Sequence, residues 1–104
     1  MIEVHFYCTD YPGDEAKALR KQYLQAHLDY IEENMDKVSV AGPLFDEVNK
    51  TIIGSCVIYH ADTVELAREY FEADPYFKAG RIWEGIERRV FRTVAGKWVG
   101  GRRW

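Results

Sequence analysis

Cysteine, proline and long apolar runs are scarce in this chain, and each shortage removes a class of protein. Two cysteines, Cys8 and Cys56, in 104 residues cannot build a disulfide framework, and neither pairs closely with another Cys or a His at metal-ligand spacing. Both lie in apolar, strand-like runs, where a free cysteine acts as a small hydrophobe and a reducing cytosol keeps it unpaired. No apolar stretch approaches the ~20 residues of a membrane helix, and the opening MIEVHFYCTD lacks a cationic segment followed by an apolar one. Neither a membrane span nor a signal peptide is expected, and the expected compartment is the cytoplasm. A net charge of −3 offers no basic excess for nucleic acid or an anionic membrane. Phosphate-loop, Ser-His-Asp and zinc-ligand spacings are missing, and His5, His27 and His60 are too scattered for a metal site. No metal or cofactor is expected, and the length fits one domain over residues 1–104.

What the chain does have is one long amphipathic helix. From Asp14 to Met35, DEAKALRKQYLQAHLDYIEENM, a rotation of about 100° per residue puts Arg20 and Asn34 within roughly 20° of His27. Leu19, Tyr23, Leu24, Tyr30, Ile31 and Met35 flank that line, whereas Gln22, Gln25, Asp29, Glu32, Glu33 and Asp36 form the solvated side. Three polar groups thus run down the middle of the face expected to be buried. A polar group removed from water without a partner costs about 1–3 kcal/mol, so this line needs partners or a wet pocket. Two readings follow: a core histidine bonded to a carbonyl, Tyr23 or Tyr30, or a site lined by His27.

Around the helix the chain reads as β-α-β-β-α-β. Residues 2–8, IEVHFYC, alternate Ile2, Val4, Phe6 and Cys8 against Glu3, His5 and Tyr7, the pattern of a strand with one face on a core. Pro12 and Gly13 break the chain, and Asp14 is a candidate helix cap. VSVAGPLF (38–45) and TIIGSCVIYH (51–60) form a hairpin; Pro43 marks an edge, and Gly54 marks a bulge or a close approach by other backbone. DTVELAREYFEA (62–73) gives a second helix with Asp62 three before Glu65, as in a capping box. In ADPYFKAG, Asp74 caps a short helical turn at 75–79 that starts on Pro75 and stops at Gly80. A last strand is expected around Glu87–Val94, and the tail containing Trp98, Arg102, Arg103 and Trp104 either folds back as a hairpin or trails along the sheet edge. This order is the ferredoxin-like arrangement: an α+β fold whose antiparallel sheet carries both helices on one face. With three Trp, seven Tyr and five Phe, the bare face would be too apolar for water, so a homodimer of the α+β barrel type is expected.

Four segments, AHLDYI (26–31), AGPL (41–44), Gly54 within its strand and ADPYFKAG (73–80), occur in an order and spacing that resemble the YciI-like proteins (YCII-related domain) of the dimeric α+β barrel superfamily. The resemblance covers about residues 2–92 and leaves 93–104 as an extension. It implies that His27 and Asp74 form an active-site pair, and it points to small-molecule chemistry, since members with an assigned activity include a dehydrochlorinase acting on a chlorinated, hydroxylated aromatic. Family members commonly carry an arginine three residues before the histidine; here that position is Leu24, and Arg20 lies one turn further back on the same face.

A carboxylate beside an imidazole fixes its tautomer and makes it a general acid or base, with no nucleophile required. The expected chemistry is proton abstraction, elimination or isomerisation on a small, aromatic molecule, with His27 and Asp74 catalytic. The expected substrate contacts are Arg20, Tyr23, Tyr30, Gly42, Pro43 and Tyr76, with Phe77 as a further wall. Each has a plainer reading: Asp74 as a helix cap, Gly42 and Pro43 as a strand end, Tyr76 as a packed ring. A non-catalytic homodimer that binds a small molecule, or serves another enzyme as an accessory, remains the alternative.

Overall fold

Alternation along the strands sets the sheet. In the computed structural model, which describes residues 1–103, β1 (Ile2–Asp10) buries Val4, Phe6 and Cys8 on one face and turns Glu3, His5 and Tyr7 to the other. β2 (Val38–Phe45) and β3 (Ile52–Ala61) form the hairpin, and β4 (Trp83–Phe91) completes an antiparallel sheet of order β2-β3-β1-β4. β1 and β3 are central, which explains their density of apolar residues, and Pro43 sits on edge strand β2, where its missing N–H costs no ladder bond. Gly54 is dictated by β1: a Cβ there would collide with the Cys8 backbone carbonyl.

Three helices lie over the buried face: α1 (Asp14–Glu33), α2 (Val64–Glu72) and α3 (Pro75–Ala79). The core between them holds Val4, Phe6, Val57, Tyr59, Phe71, Tyr76, Ile82 and Trp83, with Phe71 stacked between Phe6 and Trp83 at centroid distances of 4.1 and 5.2 Å. The fold class is the expected one, α+β and ferredoxin-like.

Several local expectations shift. Gly13, at φ 94°, takes the cap position of α1 and Asp14 is the first helical residue, because that left-handed conformation suits glycine. Thr63 rather than Asp62 caps α2, accepting from Leu66 N at 3.1 Å, since β3 runs on to Ala61 and leaves Asp62 in the turn. β4 starts at Trp83, four residues before the expected Glu87, and pairs with β1 along its length; its exposed residues had hidden the alternation. Leu24 and Met35 of α1 are exposed rather than buried, because α1 leans on α3 and roofs a cavity instead of a solid core. The tail does fold back, as a small hairpin of β5 (Ala95–Gly96) and β6 (Gly101–Arg102), closed by Arg103 N donating to Val94 O. Trp98 on it is exposed, and Trp104 lies outside the described residues. No helix among the described residues is long and apolar enough to cross a membrane.

Candidate active site

Pro75 starts α3 and Asp74 caps it, so the sequence fixes the Asp74 carboxylate before any tertiary contact is made. Its Oδ1 accepts from Tyr76 N at 2.9 Å. The same carboxylate, 3% exposed, meets the imidazole of His27 from α1, with Nδ1 at 2.8 Å from Oδ1 and 2.9 Å from Oδ2. Cap and imidazole partner are therefore one group. An ionised carboxylate only accepts, so Nδ1 carries the hydrogen and Nε2 is the nitrogen that can meet a ligand.

Tyr76 holds the ring from below. Its own ring stacks on His27 with centroids 4.0 Å apart and planes 2° from parallel, and its hydroxyl donates to Arg20 O at 3.0 Å. Burial pushes the Tyr76 phenol up, partly offset by the Arg20 guanidinium 5.3 Å from its ring, so the hydroxyl remains a donor. Arg20 is fixed in turn: Nε donates to Asp10 Oδ2 at 2.6 Å, and Nη2 donates to Asp10 Oδ1, Gly54 O and Ser55 Oγ at 2.9, 3.0 and 2.9 Å. The polar line on α1 is thus satisfied by β1, β3 and α3, with Asn34 at its end bonded to Tyr30 O.

These groups wall a cavity of about 310 Å³ between α1 and the β2-β3 hairpin. Of the expected contacts, Arg20, His27, Asp74, Tyr76, Gly42 and Pro43 line it, the last two because β2 pairs them with Cys56 and Ser55. Tyr23, Tyr30 and Phe77 do not. Tyr23 packs against the core, Tyr30 spends its hydroxyl on Tyr70 O at 2.7 Å, and Phe77 lies edge-on to Phe71. Helical angle alone had put both tyrosines near His27, but Tyr23 turns to the core and α2 takes the Tyr30 hydroxyl.

Sequence reasoning missed Asp10, Ser55, Leu28, Ile52 and Trp83. Asp10 and Ser55 carried a signal: each continues the parity of a buried strand face, Asp10 after Val4, Phe6 and Cys8, and Ser55 before Val57 and Tyr59. A polar residue on such a face needs a partner, and Arg20 was the candidate. Trp83 and Ile52 carried none. On the opposite sheet face His5 Nε2 lies 3.0 Å from Cys56 Sγ, away from the His27 network. Among the described residues no group of three or more His, Cys, Asp or Glu is placed to hold a metal ion.

The model of the YCII-related domain family matches residues 3–92. The chain belongs to the YCII-related domain family. This YCII-related chain is similar in structure to 5-chloro-2-hydroxyhydroquinone dehydrochlorinase (TftG) from Burkholderia phenoliruptrix AC1100, solved in complex with 2,5-dihydroxybenzoquinone. The two share 28% identity and a TM-score of 0.74 over 91% of this chain and 96% of that one. An uncharacterized NIPSNAP domain protein from Burkholderia xenovorans shares the fold, at 17% identity and a TM-score of 0.53, again over 91% of this chain and 96% of that one. No curated protein matches the sequence. The family match ends at residue 92, and the β5-β6 hairpin lies beyond it.

Proposed function

We propose that this protein is a small, cofactor-independent acid–base catalyst in which His27 Nε2 takes or returns a proton on a small aromatic molecule bound in the cavity. Asp74 orients the imidazole and fixes its tautomer, and Tyr76 stacks beneath it. The observation that carries this reading is the two-point contact of His27 Nδ1 with the buried Asp74 carboxylate at the cavity wall. That is the geometry of an oriented general base. The dehydrochlorinase relative supports an aromatic substrate and a proton abstraction followed by elimination or isomerisation. Two free thiols, Cys8 and Cys56, fit the reducing cytoplasm as its place of action.

The second part of the proposal is that the catalyst is a homodimer joined through the open sheet face. Tyr7, Val40 and Phe91 stand 37–46% exposed there, around His5 and Ile58. Light scattering on a sizing column at micromolar concentration checks this, and a clean monomer overturns it.

Activity is tested with hydroxylated and chlorinated hydroquinones, following chloride release and ring absorbance. His27→Ala should lose about 10²–10⁴-fold in rate, the usual worth of a positioned general acid or base. Asp74→Asn should keep the α3 cap, because asparagine caps as well as aspartate, while rate falls. If both variants keep full rate, the catalytic assignment fails; if no ring compound turns over but ring compounds still bind, the non-catalytic binding protein is the correct reading.

A further inference from the structure

The charges around the cavity choose among ring compounds. Arg20 is the one Arg or Lys among the described residues that line it, and its charge is already matched by two hydrogen bonds to Asp10. The Asp74 carboxylate then remains, shared only with His27. With the imidazole neutral, as a base must be, Arg20, Asp10 and Asp74 sum to one negative charge. A ligand bringing a carboxylate would add a second, facing a guanidinium whose charge Asp10 already offsets, and burying an uncompensated charge is among the costliest events in a protein. Beside His27 on α1, Leu24, Leu28 and Ile31 present hydrocarbon to the cavity, and Ile52 and Trp83 add to its apolar lining.

Polar recognition is nonetheless available. Arg20 Nη1 makes no hydrogen bond among the described residues, while Nε and Nη2 are engaged. It can therefore donate to an uncharged hydroxyl or carbonyl oxygen on the ligand without needing a counter-charge. His27 Nε2 accepts the proton of a second hydroxyl: the O–H bond breaks, the N–H bond forms, and the phenolate left behind faces an imidazolium backed by Asp74. Net charge in the cavity is unchanged by that step. The size, about 310 Å³, is at the small end of the roughly 300–1,000 Å³ of ligand sites, which fits one ring.

Building on the aromatic-substrate reading, we propose that the cavity selects uncharged single-ring phenols and quinols and excludes their ring carboxylates, with Leu24 and Leu28 setting the exclusion. Leu24 and Leu28 are 46% and 48% exposed, so both positions tolerate a long polar side chain without loss of the fold.

Hydroquinone and 2,5-dihydroxybenzoate, which differ by one carboxylate, are the probes, titrated by calorimetry into the whole protein at neutral pH. Hydroquinone should bind at least tenfold tighter. Leu24→Arg, or Leu28→Lys as an independent second variant, supplies the missing cation and should shift the ratio of the two affinities at least tenfold toward the carboxylate. Equal or tighter binding of 2,5-dihydroxybenzoate by the unaltered protein overturns the charge selection and leaves the aromatic site standing. An unshifted ratio in both variants overturns the role given to the leucines. Failure of both probes to bind the unaltered protein overturns the aromatic site itself, and this inference with it.

Discussion

At Tyr59 a hydroxyl is buried with no hydrogen-bond partner among the described residues, in a side chain with no exposure at all. An unsatisfied buried hydroxyl costs about 1–3 kcal/mol, so Tyr59→Phe should leave stability unchanged or raise it by about 1 kcal/mol in urea unfolding, the reverse of an ordinary core substitution. Burial also pushes the Tyr59 phenol up, and it raises the Cys8 thiol from 9.0 to about 12. Below the ordinary thiol range, folded and unfolded chains both keep the Cys8 proton. From about 9 to about 12 the unfolded chain releases it and the folded chain does not, so the unfolded state binds fewer protons and stability falls as pH rises. Urea midpoints should decline through that window. Cys8→Ala, weaker at neutral pH through lost packing, should show a shallower decline. Asp74 shows why residue-scale reading runs short: its local sequence specified a cap, and nothing local said that the same oxygen would hold an imidazole 47 positions earlier in the chain.

Among the elements, β3 and α1 are bound through Gly54 and Arg20. Gly54 leaves no room for a Cβ against the Cys8 carbonyl, and its own carbonyl receives Arg20 Nη2. Gly54→Ala must move backbone in one of two central strands, and it should cost about 1–3 kcal/mol, the usual penalty for overpacking, seen as a lower thermal midpoint. Asp10→Ala strands the Arg20 guanidinium in a buried position, where losing one partner of such a pair costs about 3–5 kcal/mol. Thermal unfolding checks this too, and an effect under 1 kcal/mol would mean that water reaches Arg20 freely. The sequence made the hairpin, the ADPYFKAG turn and the main helix legible, because each has strong punctuation: a glycine in a strand, a proline after a cap, a long amphipathic period. β4 was read late and Asp62 was taken for the cap, because an exposed edge strand has no alternation and neighbouring Asp and Thr are both good caps.

On the scale of the molecule, the segment beyond the family match is held to β1 through Glu3. Glu3 accepts from Thr93 N at 2.8 Å and Thr93 Oγ1 at 2.7 Å. Burial works to raise the Glu3 carboxyl, but these bonds outweigh it and hold it below its usual range. Its contribution is therefore present above the ordinary carboxylate range and is lost as pH falls through the lowered value. Protection of the backbone amides after Thr93, measured against the intrinsic exchange rate at each pH, should consequently be lower in acid than at neutral pH, and Glu3→Gln should remove most of that difference. The sequence by itself determined the α+β class, the element order, the buried line through His27 and the cap at Asp74, because periodicity and capping act within a few residues; that these two residues pair was implied only by the family resemblance. Only the tertiary structure decided that Arg20 is matched by Asp10 and Ser55, that α2 draws Tyr30 away from the cavity, and that Leu24 and Trp83 line it. Those outcomes depend on which strand faces which helix at what height, a relation between distant segments that no local pattern encodes.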